Sequence, residues 1–161
     1  MDTTKGHYLY DIAYSLATIC SYSYAIVYNA MSGERTTHCG ARPLIYLVDD
    51  EEMMLNLAEV SLLGDGYALK KFQDPQAAFE AFASESSKPT LLLTDFAMLP
   101  MNGLELSAKC KSSHPALKIL LVSGTAGPEV VHTSPVDVDE FIAKPYAPAD
   151  LARVVRSLLE D

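Results

Sequence analysis

Between residues 43 and 161, short apolar runs alternate with stretches of helical periodicity. The uninterrupted runs predict buried strands at residues 44–48, 91–95 and 118–122, and a further run predicts a strand within residues 136–143. Residues 67–72 alternate apolar with polar positions, which favours a strand nearer the sheet edge. The stretches between these strands predict helices over residues 53–63, 76–83, 104–111 and 148–159.

This alternation predicts an α/β fold. Five strands separated by helical segments favour right-handed crossovers and one parallel sheet with helices on both faces, a doubly wound arrangement. A helix is also expected between residues 125 and 136. Gly127-Pro128 and Ser134-Pro135 leave room there for only about two turns.

Residues 1–42 differ from the rest and are predicted to be a Tyr-rich extension ending in a polar linker. Six of the chain's nine tyrosines lie here, and residues 12–30 carry no charge. One interpretation is that Met31 is the true start and that the preceding residues are weakly structured or not normally translated. Residues 1–40 could instead anchor the protein at a membrane, although their many hydroxyl groups disfavour a spanning helix. A third interpretation is a helix that packs on the domain or on a second copy.

Composition limits the possible functions. A chain of 161 residues, 49% of them hydrophobic and 20% charged, is typical of one globular domain. A formal net charge of -9 argues against direct nucleic-acid binding, which needs a basic face. The three cysteines lack any CxxC pairing, which favours neither a disulfide framework nor a zinc site and fits a reducing cytoplasm.

Reactive side chains stand where four of the five predicted strands end. Asp49 and Asp50 follow the first strand, and Asp95 ends the third. Ser123 follows the fourth strand and Lys144 the fifth. Because parallel strands all end at one edge of a sheet, these five side chains are expected to converge on one crevice.

The chemistry of this set points to phosphoryl transfer. Three neighbouring carboxylates repel one another, and a hard divalent cation with oxygen ligands, Mg²⁺ above all, would relieve that repulsion. Lys144 offers a compact cation for a phosphoryl oxygen or for Asp95, and Ser123 offers a hydroxyl donor. A carboxylate nucleophile with Mg²⁺, a lysine and a hydroxyl is an arrangement for forming an aspartyl-phosphate.

The residues that carry this prediction resemble the receiver domain of two-component response regulators. The matching motifs are residues 48–52, residues 91–95 with Met98 and Gly103, Ser123, and residues 141–145. The resemblance covers about residues 43–161. It implies a CheY-like, flavodoxin-like (βα)5 fold with a five-stranded parallel sheet in the order 2-1-3-4-5.

The resemblance also implies a role for each acidic residue. Asp95 would accept the phosphoryl group from a histidine kinase or a histidine phosphotransfer protein. Asp50 would bind Mg²⁺ directly, and Asp49 would act mainly through water. The backbone carbonyl of Ala97 would complete the metal shell.

By the same resemblance, Ser123 and Lys144 would hold the phosphoryl oxygens, and Phe141 would be the aromatic that rotates on phosphorylation. Two departures from the family pattern lie within residues 43–161. Leu99 stands where the family usually has proline, so the loop after the phosphoacceptor is expected to follow a different path. The short segment 127–135 implies a reduced fourth helix.

These observations predict a stand-alone receiver that signals by conformational change and is not a conventional enzyme. Since the sequence ends with the last predicted helix, output is expected through protein contacts, a phosphorelay or the N-terminal segment. The alternative is a degenerate receiver that acts as an unphosphorylated interaction module. A flavodoxin-like cofactor binder on the same fold is disfavoured, because residues 49–52 are four acids that would repel a phosphate. A small haloacid-type phosphatase is disfavoured as well, because these acids lack the spacing of a nucleophilic Asp with a second Asp two residues later.

Overall fold

A computed structural model describes residues 42–125, 127, 129 and 134–160. Residues 1–41 lie outside this range, so the hypotheses on the Tyr-rich extension and its boundary remain predictions. The short helix expected between residues 125 and 136 falls mostly outside it as well. Among the described residues, no helix is long and apolar enough to cross a membrane.

Five strands form one sheet in the order β2-β1-β3-β4-β5, and every neighbouring pair is parallel. The strands are β1 (Leu44–Val48), β2 (Ala68–Phe72), β3 (Leu91–Asp95), β4 (Lys118–Ser123) and β5 (Glu140–Ala143). This order confirms the predicted doubly wound fold. The stretch predicted to lie nearer an edge, β2, is an edge strand.

Four helices are described: α1 (Glu52–Leu62), α2 (Pro75–Ser84), α3 (Gly103–Ser113) and α4 (Pro148–Glu160). Their starts follow from local chemistry. The Asp74 carboxylate accepts the backbone N–H of Gln76 and caps α2, with Pro75 as its first residue. Asn102 and Glu105 form a reciprocal capping box at the start of α3.

The fifth strand is shorter than the apolar pattern of residues 136–143 alone would allow, since it begins at Glu140. The segment before β5 lacks a continuous set of backbone hydrogen bonds to β4 and is held largely by side chains. Asp139 Oδ2 accepts the backbone N–H of Ile119 at 2.7 Å, and Lys111 donates to the Asp137 carbonyl at 2.6 Å. These tertiary contacts keep residues 134–139 as a loop against α3 and β4.

Helices cover both faces of the sheet. On one face α1 packs beside α4, and on the other α2 packs beside α3. Side chains of β1 alternate between these two cores: Ile45 and Leu47 enter the first, and Tyr46 and Val48 the second. Burial on both faces explains why β1 and β3 show uninterrupted apolar runs.

Candidate functional site

Three charged side chains meet at the carboxyl edge of the sheet. Lys144 Nζ, which follows β5, lies 2.7 Å from Asp49 Oδ2 and 2.7 Å from Asp95 Oδ1. Both acidic residues are 6% exposed. β1 and β3 are neighbours in the sheet, and this places Asp49 beside Asp95. The structure therefore brings together three of the predicted site residues around one ammonium group.

Burial and charge act against each other in this cluster. Burial raises the pKa of Asp49, although hydrogen bonds from Lys144 and from the Glu51 backbone N–H act to lower it. Burial acts to lower the pKa of Lys144, but its hydrogen bonds to Asp49 and Asp95 outweigh that effect and raise it. The lysine is therefore held as a cation between two carboxylates.

Both carboxylate oxygens of Asp95 have partners. Oδ1 faces Lys144, and Oδ2 accepts the backbone N–H of Ala97 at 2.6 Å. The loop that begins here closes back on itself, because Gly103 N–H donates to the Phe96 carbonyl at 3.1 Å. A Cβ on Gly103 would lie 2.2 Å from the Asp95 carbonyl oxygen, so α3 can approach the site this closely only with glycine there.

Ser123 ends β4 at the same edge and is 1% exposed. Its Oγ accepts the backbone N–H of Thr125 at 3.2 Å, and its carbonyl accepts the backbone N–H of Lys144 at 2.7 Å. The ends of β4 and β5 are thereby joined next to the charged cluster. The hydroxyl and the ammonium group thus belong to adjacent strand ends.

The remaining predicted site residues occupy different surroundings. Asp50 is exposed and directly follows the buried Asp49. Phe141, on β5, is half-buried and packs against the core between the sheet and α2–α3. Leu99, where the family pattern has proline, is 85% exposed on the loop between β3 and α3.

The donor set fits a magnesium ion that keeps most of its waters. With three carboxylates and one ammonium group, Asp49, Asp50, Asp95 and Lys144 retain an excess of negative charge, and the Ala97 carbonyl follows Asp95 by two residues. Within the described part of the chain, no three acidic, His or Cys side chains are grouped closely enough to hold a metal by themselves. Mg²⁺ is commonly bound by one or two carboxylates together with water and phosphate oxygens.

Sequence reasoning missed two backbone donors and one hydroxyl. The N–H groups of Glu51 and Ala97 bind the carboxylates of Asp49 and Asp95, and side-chain identity does not reveal such bonds. Thr94 Oγ1 donates to the Asp95 carbonyl at 3.0 Å. A single hydroxyl in an otherwise apolar run, directly before the acidic residue, was the available signal.

Comparison with known proteins places this chain in a family. A family model described as the response regulator receiver domain matches residues 45–156. The response regulator receiver protein CpdR of Brucella abortus is 29% identical over 116 residues, which cover 71% of this chain and 95% of CpdR. The sensor kinase CckA of the same organism is 26% identical over 128 residues, 79% of this chain but 14% of CckA.

The transcriptional regulatory protein CreB of Escherichia coli is 26% identical over 121 residues, 73% of this chain and 51% of CreB. The chain thus spans about half of CreB and far less of CckA. The crystal structure of a CheY-like response regulator receiver domain protein from Methanospirillum hungatei superposes with a TM-score of 0.65 at 25% identity, covering 74% of this chain and 95% of that one. By its sequence match, its strand order and its CheY-like fold, this chain belongs to the response regulator receiver domain family.

Proposed function

We propose that the chain accepts a phosphoryl group on Asp95 from a histidine kinase or a histidine phosphotransfer protein and then signals by conformational change. The observation that carries this proposal is the pairing of a buried Asp95 carboxylate with Lys144 at 2.7 Å. A carboxylate at this edge, beside a cation that can transfer its hydrogen bond to a phosphoryl oxygen, is equipped to act as a phosphoacceptor.

The proposed reaction is a displacement at phosphorus. An Asp95 carboxylate oxygen forms the new O–P bond while the bond from phosphorus to the donor's nitrogen or oxygen breaks. The leaving group departs with that electron pair and later takes a proton from water. Lys144 then exchanges its contact with Asp95 for one with a phosphoryl oxygen, and the Ser123 hydroxyl donates to another.

Mg²⁺ is the proposed cofactor, and when bound it would neutralise negative charge on the phosphoryl oxygens. Asp50, Asp95 and the Ala97 carbonyl would hold it directly. Asp49 would act mainly through water, since Lys144 already occupies one of its oxygens.

Signalling would use Ser123 and Phe141 as switch residues. Ser123 is linked to the backbone of Lys144, and Phe141 lies three residues before that lysine on β5. A hydroxyl drawn toward a phosphoryl group would leave space into which the half-buried Phe141 ring could turn. The partner that reads this change is a protein of unknown identity.

We propose a stand-alone, cytoplasmic receiver in a phosphorelay that is not a conventional enzyme, apart from its own phosphorylation and dephosphorylation. CpdR, of which the match covers 95%, is named a response regulator receiver protein, and CckA is named a sensor kinase. The net charge of -9 supports protein partners over nucleic acid.

Acetyl phosphate with Mg²⁺ tests the proposal by intact mass. The unmodified chain is expected to gain one phosphoryl group, and Asp95→Asn none. Asp150→Asn serves as the matched control, since Asp150 is an exposed acid on α4. A missing adduct on the unmodified chain, together with no thermal shift on adding beryllofluoride, would instead support the degenerate interaction module.

The metal assignment has a separate test. Mg²⁺ is expected to raise the midpoint of thermal unfolding in the unmodified chain, because a ligand of the folded state adds RT ln(1 + [L]/Kd) to stability. Asp50→Asn should abolish most of this increase. Glu52→Gln should retain it, since Glu52 is an exposed acid only two residues away in α1. Equal responses from the two variants would contradict the role of Asp50.

A further inference from the structure

The backbone immediately after β3 is held by hydrogen bonds at each successive peptide group. Phe96 N–H donates to the Val122 carbonyl at 2.8 Å, and the Phe96 carbonyl accepts Gly103 N–H at 3.1 Å. Ala97 N–H donates to Asp95 Oδ2 at 2.6 Å. The Asp95 carbonyl accepts the Thr94 hydroxyl at 3.0 Å. The turn from residue 95 to residue 97 is therefore held by hydrogen bonds to β4, to the start of α3 and within the turn itself.

Thr94 differs from the other donors in this set because its group belongs to a side chain. The other three are backbone N–H groups, which a substitution cannot remove without changing the backbone. Thr94 is fully buried at 0% exposure and lies on the α3 side of the sheet. Its Cγ2 would be 3.1 Å from a Cβ built on Gly103, so its methyl group faces the start of α3.

The Thr94 hydroxyl is placed where it can affect the orientation of the Asp95 side chain. β3 ends at Asp95, and from there the chain leaves the sheet. The carbonyl that Thr94 holds belongs to the peptide joining Asp95 to Phe96, so a rotation of that peptide would displace the Asp95 side chain on one side. On the other side it would displace Ala97, whose N–H binds Asp95 Oδ2.

We infer that the Thr94 hydroxyl is a positioning group for phosphoryl transfer, holding the 95–97 turn so that the Asp95 carboxylate faces its donor. The inference rests on the proposed function of Asp95. Thr94 does not touch the reacting atoms and acts through the backbone of its neighbour. Phosphoryl transfer is sensitive to such placement, because catalysis of this kind depends on alignment and on preorganised charge.

Two substitutions separate the hydroxyl from the methyl group of Thr94. Thr94→Val keeps the shape and removes the donor, whereas Thr94→Ser keeps the donor and removes the methyl group. Ser107→Ala is the matched control. Ser107 is also 0% exposed and donates to the Gly103 carbonyl at 2.7 Å, within α3 itself. The full chain is used for each variant.

For each variant, the rate constant for phosphorylation by acetyl phosphate is measured at saturating Mg²⁺, and urea unfolding is followed without Mg²⁺. Thr94→Val is expected to be slowed about fivefold, the effect of one neutral hydrogen bond on a rate. Thr94→Ser is expected to react at the unmodified rate while unfolding at lower urea, because it leaves a small cavity against Gly103. Ser107→Ala should lose stability and keep its rate.

Three results would overturn the inference: an unchanged rate in Thr94→Val, equal slowing in Thr94→Ser, or slowing in Ser107→Ala that matches its loss of stability. If Thr94→Val does not fold, Thr94→Ser and Thr94→Ala provide the same contrast between a present and an absent hydroxyl. An unmodified chain that acquires no phosphoryl group would refute the proposed function itself. That outcome is distinct from a phosphorylated chain whose rate does not depend on Thr94.

Discussion

The ammonium nitrogen of Lys144 lies 2.7 Å from Asp95 Oδ1 and equally close to Asp49 Oδ2, so one cation joins the ends of three strands. Lys144 is far from both acids in sequence, and only the parallel sheet brings them together. The lysine compensates two buried carboxylates in the free protein. In the proposed reaction, it must also release Asp95 to bind a phosphoryl oxygen.

Removing that cation should destabilise the fold. Lys144→Met leaves Asp49 and Asp95 facing each other without a counter-charge, and we expect the free energy of unfolding to fall by about 3 kcal/mol at neutral pH. Urea unfolding measures the loss. Adding Asp95→Asn to Lys144→Met should recover part of it, because one of the two repelling charges is removed. A double variant as unstable as the single one would contradict this account.

Tyr46 should make the protein sensitive to alkali. Burial, together with its hydrogen bond to Glu85, raises the pKa of Tyr46 from 10.0 to about 12. A raised folded-state pKa contributes stability that is fully present below pH 10.0 and is lost as the pH rises through about 12. Tyr46→Phe has no phenolic proton to lose, so its free energy of unfolding should fall less than that of the unmodified chain over this interval. The difference between the two proteins should reach at most about 2.7 kcal/mol.

Urea unfolding of both proteins at about pH 9 and about pH 11 tests this difference, of which about half, roughly 1.4 kcal/mol, should have developed by about pH 11. Burial also raises the pKa of Tyr67, but less than that of Tyr46, so Tyr67→Phe should show a smaller effect in the same direction. At neutral pH, Tyr46→Phe should lower the free energy of unfolding by about 1 kcal/mol, because the hydrogen bond to Glu85 is lost. Parallel losses of stability in Tyr46→Phe and the unmodified chain would show that another group is responsible.

Two glycines beside the site should respond differently to alanine. A Cβ on Gly103 would lie 2.2 Å from the Asp95 carbonyl oxygen, and backbone must move to admit it. We expect Gly103→Ala to lower the free energy of unfolding by about 3 kcal/mol despite the better helix propensity of alanine. A Cβ on Gly124 would meet Lys144 Cβ at 3.6 Å, an ordinary contact, so Gly124→Ala should cost far less. Urea unfolding compares the two, and equal losses would contradict the prediction.

Cys110 should be protected from thiol reagents in the folded protein. Cys110 lies on α3 with its side chain 2% exposed in the core, and burial raises the pKa of the thiol to about 12. The reactive thiolate is therefore scarce as well as inaccessible. Alkylation followed by peptide mass mapping should label Cys110 only when urea unfolds the chain. Rapid labelling under native conditions would show that the core opens readily there.

The order of the elements was predictable because local signals agree with the fold. Asp74-Pro75 marks the start of α2, and Asn102 marks the start of α3. The uninterrupted run at residues 91–95 indicated a strand buried on both faces, and β3 is buried throughout. A strand of this kind can be recognised from composition alone, because both of its faces are buried and neither needs polar residues.

The shorter fifth strand was not predictable in the same way. Its apolar pattern allowed a strand anywhere within residues 136–143, and the position of its start depends on Asp139 bonding to Ile119 and on Lys111 reaching the same loop. These partners are 20 and 28 residues distant in sequence. Local secondary-structure propensity cannot predict such long-range contacts.

By itself, the sequence determined the alternation of strands and helices, the placement of Asp49, Asp95, Ser123 and Lys144 at strand ends, and hence the edge where they gather. These follow from hydrophobic periodicity and from the common direction of parallel strands. Only the tertiary structure decided that Lys144 binds both carboxylates, that Ala97 N–H holds the second oxygen of Asp95, and that the Thr94 hydroxyl holds its carbonyl. Hydrogen bonds depend on ångström-scale distances and on the direction of each donor, and these exist only once the sheet and α3 have packed together.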